Sequence, residues 1–233
     1  MEIVERILHP ERMDDPALDK ARHRQALRGL ERINRFSGSA GILWPPIRRL
    51  CRELNARSLK VLDIATGAGD VPIRLWRRAR QAGLSLQIDG CDRSGQAVEH
   101  ARGRATQAGV PVRFFMHDPL LSGIPHGYDV LLCSLFLHHL EEAQAKTLLG
   151  GMARAAGRMI AVNDLARSRV GWSLAFAGTR LLTRSAVVHT DGLLSVRAAF
   201  TLSEVRVLAR EAGLNGCSVS GRWPCRFLLV WKK

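Results

Sequence analysis

The stretch Val61-Leu62-Asp63-Ile64-Ala65-Thr66-Gly67-Ala68-Gly69-Asp70 leaves few folds open to this chain. An apolar run ends in a turn of small residues, and a helical pattern follows from Asp70 through Val71, Ile73 and Leu75. A strand feeding a helix through a tight turn is the opening unit of an open α/β sheet, where ligands lie beyond the strand carboxyl ends. Glycine at 67 and 69 allows a tight turn and lets a ligand approach the main chain. A dinucleotide site asks for a third small residue in G-x-G-x-x-G, and Pro72 holds that place. Pro72 suits a first helical turn. Asp70 stands where a pyrophosphate would meet the helix N-terminus. A carboxylate there opposes an anionic ligand and suits a positively charged one.

Four further strand patterns continue the series. Leu86–Asp92 ends in an acid able to accept hydrogen bonds from both hydroxyls of a ribose. Val112–Asp118 repeats the form and puts Asp118 at a third strand end, able to accept from an adenine amino group. Tyr128–Ser134 and Arg158–Asp164 are the fourth and fifth. Helical stretches at Gln96–Ala108 and Glu141–Ala156 alternate with them, which implies a parallel sheet. S-adenosylmethionine combines adenine and ribose with a sulfonium and an ammonium, so it is the expected cofactor.

The ordered series Asp63-x-x-x-Gly67-x-Gly69, Asp92, Asp118 and Leu137-His138-His139-Leu140 resembles the class I S-adenosylmethionine-dependent methyltransferases. The resemblance covers Lys60 to Asp164 clearly and Thr201 to Lys233 weakly. Within the family the chain looks most like the small-molecule branch that includes the ubiquinone/menaquinone-biosynthesis methyltransferases. Asn34-Arg-Phe-Ser37-Gly-Ser39 and Trp44 are similar to the segment that covers the cofactor there. The chain departs from the branch at Ala65-Thr66, which replaces the commoner Gly-x pair, and at the end of the fourth strand. The resemblance implies an α/β, Rossmann-like, mostly parallel seven-stranded sheet with an antiparallel last strand, helices on both faces and a helical N-terminal cap. It also implies a cofactor site made of Asp63, Ala65, Thr66, Gly67, Ala68, Gly69, Asp92, Arg93, Asp118, Pro119, Ser134 and Leu135.

At 233 residues the chain is expected to be a single domain in four parts. Residues 1–59 form a cap with helical periodicity around Leu18, Leu27, Leu30 and Ile33, then Leu43, Ile47, Leu50 and Leu54, and Pro45-Pro46 opens a helix with Trp44 at the bend. Residues 60–164 are the cofactor half and 165–200 a lid insertion. Residues 201–233 begin with the capping-box pattern Thr201-Leu-Ser-Glu204, continue as a helix to Ala212, and end in strands at Cys217–Ser220 and Arg226–Trp231. No apolar stretch reaches bilayer length, and Met1-Glu-Ile-Val-Glu-Arg6 lacks the form of a signal peptide. Five cysteines show neither a Cys-x-x-Cys pair nor metal-ligand spacing, so no metal is expected and a cytoplasmic setting follows.

The net charge of +14 raises the question of nucleic acid. It is nearly all arginine, spread along helical stretches such as Arg22, Arg24, Arg28, Arg32 and Arg35, then Arg74, Arg77, Arg78 and Arg80. A solvated helix surface gives the same pattern, and no zinc module or aromatic-interleaved patch is present. Cys133-Ser134-Leu135-Phe136 matches neither the Asn/Asp-Pro-Pro-aromatic run of adenine or glutamine methylation nor the Pro-Cys of 5-methylcytosine formation. Trp172, Phe176 and Phe200 in the insertion either line an acceptor pocket or belong to the core. For proton handling, His139 follows the fourth strand at the cofactor end, with His138 beside it; both can instead be structural. His189 lies two residues before Asp191, which can orient an imidazole. The expected activity is methyl transfer to a small hydroxylated aromatic or quinol-like acceptor, as in secondary metabolism, with oxygen favoured over carbon. An RNA-modifying methyltransferase is the alternative.

Overall fold

Seven strands form one sheet in the order β3-β2-β1-β4-β5-β7-β6. They are β1 (Ser58–Ile64), β2 (Ser85–Asp92), β3 (Arg113–Met116), β4 (Val130–Ser134), β5 (Met159–Leu165), β6 (Ser218–Arg222) and β7 (Arg226–Lys232). This computed structural model describes residues 5–9, 12, 19, 25 and 38–233. Strands β1 to β5 pair in parallel, and β7 alone runs against its neighbours β5 and β6. The expected seven-stranded sheet with a reversed last strand is therefore present.

Seven helices lie among the described residues: α1 (Ser39–Glu53), α2 (Asp70–Gln81), α3 (Gly95–Ala108), α4 (Glu142–Ala155), α5 (Arg169–Leu182), α6 (Ala186–Ala198) and α7 (Leu202–Glu211). Side chains alternate across a strand, so each central strand feeds two cores. Val61, Leu132 and Ala161 pack with α1, α2 and α3, whereas Leu62, Leu131 and Val162 pack with α4 and α7. The capping box of α7 forms in both directions, Thr201 Oγ1 accepting from Glu204 N and Glu204 Oε2 from Thr201 N. Cys51, Cys91 and Cys133 are free and buried, as small apolar fillers.

One expectation changes. Pro45 and Pro46 lie inside α1, not at its start. Interior proline costs about 3 kcal/mol in a helix, but Ala40, Leu43, Ile47 and Leu50 repeat at helical spacing and are buried against the sheet. That burial holds the helix through the prolines. In the cap expected over 1–59, Leu18, Leu27, Leu30, Ile33 and Asn34–Ser37 lie outside the described residues.

The insertion leaves and rejoins the fold at one place. Ala166 bridges Phe200, and Arg167 N donates to the Phe200 carbonyl at 3.1 Å. Between these points α5 and α6 run as a pair. Phe200 is core, with the Arg6 guanidinium 3.8 Å from its ring centroid, while Trp172 and Phe176 stack on each other at the surface. No helix among the described residues is long and apolar enough to cross a membrane.

Candidate active site

Connections from β1 proceed toward β2 on one side, and those from β4 proceed toward β5 on the other, so the chain reverses its winding between β1 and β4. Open α/β sheets bind ligands at that point. An open cleft with about 640 Å³ of unfilled space lies there, lined by Ser39 and Ala40 of α1, Ala65 to Ala68, Asp70, Val71, Arg74, Ser134 and Leu135. Ala65 (φ 54°) and Leu135 (φ 56°) are both left-handed although neither is glycine. That conformation costs roughly 1–2 kcal/mol per residue. Bonds from the two strand ends hold it: Thr66 N donates to Cys91 O, and Leu135 N to Asn163 O, each at 2.9 Å.

Beneath the turn, Asp63 is buried and accepts the Thr66 hydroxyl at 2.7 Å through Oδ2. Its Oδ1 is buried without a partner. Burial pushes this carboxyl up to about 7; the Thr66 hydroxyl opposes the rise and the neighbouring Asp92 charge adds to it. A cationic ligand group over the turn compensates such a carboxylate. Asp92 fastens the tip of β2 to the turn, accepting from Gly67 N and Ser94 N, both at 2.9 Å. Each carboxylate oxygen has two acceptor sites, so capacity for ribose hydroxyls remains. Asp118 Oδ1 accepts from Leu120 N at 2.9 Å. Arg93 is exposed and Pro119 buried.

The two glycines differ in role. A Cβ at Gly67 would meet nothing within 4 Å, whereas one at Gly69 would stand 2.7 Å from Phe114 Cζ. Gly67 keeps the cleft floor open, and Gly69 makes room for the phenyl ring of Phe114 on β3, two strands from β1. Asp70 also differs from expectation. Its carboxylate pairs with Arg104 Nη2 at 2.8 Å, so its charge is partly balanced and the preference for a cation rests more on Asp63.

Among the histidines, His138 and His139 form a 3₁₀ turn just past β4, with ring centroids 4.1 Å apart. His139 is exposed at the cofactor end of the sheet. His138 is buried, its Nδ1 2.6 Å from Asp164 Oδ1 and its N–H donated to Oδ2. Burial works to raise the Asp164 carboxyl, but the adjoining His138, with the Leu165 N–H and the nearby His139, outweighs it and the net shift is downward. This pair escaped sequence reading, although both residues end adjacent strands. His189 and Asp191 do not pair. His189 Nε2 lies 2.9 Å from the Thr183 carbonyl, and Asp191 accepts the Arg12 N–H. Both sit on α6, where residues two apart point to different sides. Among the described residues no cluster of His, Cys, Asp or Glu is arranged to hold a metal.

Several arginines turn inward. Arg6 donates to the carbonyls of Ala198 and Leu140, Arg167 to that of Ala199, and Arg226 to Ser39. These side chains turn into the protein, and a count of charge cannot distinguish them from surface ones.

Residues 61–157 match the methyltransferase domain family. No curated protein matches the sequence. Among solved structures, the S-adenosylmethionine-dependent methyltransferase SibL aligns at 21% identity and TM-score 0.68, over 94% of this chain and 60% of that one. Magnesium protoporphyrin IX methyltransferase from Synechocystis aligns at 16% identity and TM-score 0.58, over 94% and 90%. An O-methyltransferase family 2 protein from Planctomyces limnophilus, solved with apigenin, aligns at 17% identity and TM-score 0.57, over 75% and 51%. The fold is thus the Rossmann-like methyltransferase fold. The chain spans 60% of SibL and about half of the family 2 protein.

Proposed function

We propose that the protein transfers a methyl group from S-adenosylmethionine to a small hydroxylated aromatic or quinol-like acceptor, with oxygen as the favoured atom, in the cytoplasm. The observation that carries this reading is the partnerless Asp63 oxygen beneath a glycine turn, at the point where the sheet reverses its winding. S-adenosylmethionine supplies an electrophilic methyl on a sulfonium. Asp92 and Asp118 take the ribose and adenine, and the Gly67 main chain lets the nucleoside lie close. Ala65, Thr66, Ala68, Ser134 and Leu135 form the walls. Structures of similar fold include an O-methyltransferase solved with apigenin, which supports the oxygen preference.

A phenol has a pKa near ~10, so a base at the acceptor accelerates transfer near neutral pH. His139 is the first candidate: it is exposed at the cofactor end of the sheet, four residues beyond the cleft-lining Leu135. The His138–Asp164 pair fixes the turn that presents it. His189 is the second candidate, acting without Asp191. The test is incubation with methyl-labelled S-adenosylmethionine and a panel of phenols, catechols and quinols, with bulk RNA in parallel. Label in a small-molecule product and background counts in RNA are expected. Label in a defined RNA species would instead favour the RNA-modifying alternative.

A further inference from the structure

Arg226 is only 4% exposed, at the first position of β7 and opposite Leu165 of β5. Because β7 is reversed, its first residue lies at the carboxyl end of β5, the end of the sheet that carries the cleft. Alternation puts Arg226 on the same face as Leu228, which packs in the core that includes α1. There Arg226 Nη1 donates to Ser39 Oγ at 2.7 Å, and Ser39 lines the cleft.

A guanidinium offers five N–H donors and keeps its charge in a protein. Among the described residues, Ser39 is the one hydrogen-bond partner of the Arg226 guanidinium and no carboxylate forms an ion pair with it. Asp164 acts on it only through space, and burial pushes its pKa down to about 10. Among the described residues the sealed, partnerless side-chain atoms are Asp63 Oδ1 and Asn163 Oδ1. Asn163 lies two residues before Leu165 on the same face of β5, opposite Leu228 of β7 and Ser134 of β4, with Nδ2 bonded to the cleft-lining Ser134 at 3.0 Å. An apolar sheet face thus ends in polar side chains, one of them a buried cation without an ion-pair partner, and burying such a charge is costly unless an anion completes it.

We propose that Arg226, steadied by Ser39, is a carboxylate-binding site at the β5–β7 side of the cleft. The proposal rests on the methyltransferase reading for its two sources of carboxylate, an acidic acceptor and the methionine moiety of the cofactor. The position of β7, two strands beyond β4, favours the acceptor.

Calorimetric titration of matched pairs tests it: 4-hydroxybenzoate with its methyl ester, and S-adenosylhomocysteine with its decarboxylated analogue. Each is titrated into wild type, Arg226→Met, Arg226→Lys and Ser39→Ala, with thermal melts to establish folding. Wild type should prefer the carboxylate member of one pair by roughly ten- to a hundredfold, the range for a charge-assisted bond. Arg226→Met should abolish that preference, and Arg226→Lys should restore part of it. If Arg226→Met does not fold, loss in Ser39→Ala with partial retention in Arg226→Lys carries the same conclusion. Preference in the benzoate pair assigns the site to the acceptor, and preference in the nucleoside pair assigns it to the cofactor. No preference in wild type, or one that survives in Arg226→Met, overturns the site and leaves Arg226 as a tie between α1 and β7. Failure of wild type to bind S-adenosylhomocysteine counts against the methyltransferase reading alone, because the benzoate pair is read independently.

Discussion

Replacing Gly69 by alanine should destabilise the fold more than the same change at Gly67. Gly69 is left-handed at φ 75° and precedes α2, and its added Cβ would stand 2.7 Å from Phe114 Cζ and 3.0 Å from Ala101 Cβ. Phe114 and Ala101 are buried, so neither has open space to retreat into. The left-handed backbone costs alanine roughly 1–2 kcal/mol, and overpacking adds typically about 1–3 kcal/mol. The sum is about 2–5 kcal/mol, which for a chain of this size lowers Tm by roughly 5–15 °C. Gly67 is also left-handed, at φ 53°, but its Cβ meets nothing within 4 Å. Only the backbone cost of roughly 1–2 kcal/mol applies there. Thermal melts of both variants, with Gly69→Ala repeated in a Phe114→Leu background, measure the difference. The steric part of the Gly69→Ala penalty should shrink when the ring is shortened. A Gly69→Ala protein melting within 2 °C (~1 kcal/mol) of wild type, or a Gly67→Ala protein equally damaged, refutes the packing argument.

Asp63 titrates at about 7 in the fold, against roughly 4 in an unfolded chain. Its ionisation therefore opposes folding increasingly between about pH 4 and 7, and by a constant amount above that. Asp63→Asn should melt higher than wild type at pH 8 and about level with it at pH 4; equal melting at both is the contrary result. Asp164 shifts downward, so the stability it contributes is present above about pH 4 and fades as pH falls through its folded value. Asp164→Ala strands its buried partner and should cost about 3–5 kcal/mol by denaturation at pH 7; a loss under about 1 kcal/mol speaks against the pair. Ala65→Gly relieves a left-handed alanine and should stabilise by about 0.5–1 kcal/mol, read as a raised melting temperature. His139→Ala should lower kcat by about 10²–10⁴-fold with little change in cofactor affinity. Unchanged turnover in both His139→Ala and His189→Ala would leave the histidines with a structural role.

The order of β and α elements was legible because apolar runs ending in Asp63, Asp92 and Asp118 alternate with helical patterns at short spacing. The acids of the cofactor half were legible for the same reason: each falls at or just past a strand tip, at one end of a parallel sheet. Partners across the fold were not legible. Asp70 pairs with Arg104, 34 residues away, and Asp164 meets His138 from the adjacent strand end. Nothing in local spacing reports such meetings. The supposed His189–Asp191 pair failed because an i, i+2 spacing suits a strand or loop, and that segment is helical. The arginine count was silent for a similar reason: Arg6, Arg167 and Arg226 turn inward, and composition cannot say which way a side chain turns.

The central claim is that the cleft between β1 and β4 binds S-adenosylmethionine through the acids at the strand tips. Isothermal titration of S-adenosylhomocysteine and of NAD, into wild type and Asp92→Ala, tests it most directly. Asp92 holds the Gly67 N–H and is assigned the ribose hydroxyls, and charge-assisted bonds contribute about 1.5–3 kcal/mol. The account predicts one S-adenosylhomocysteine bound per chain, affinity roughly ten- to a hundredfold weaker in Asp92→Ala, and no measurable heat with NAD. Tight binding of NAD, or S-adenosylhomocysteine affinity unchanged by the substitution, would contradict it.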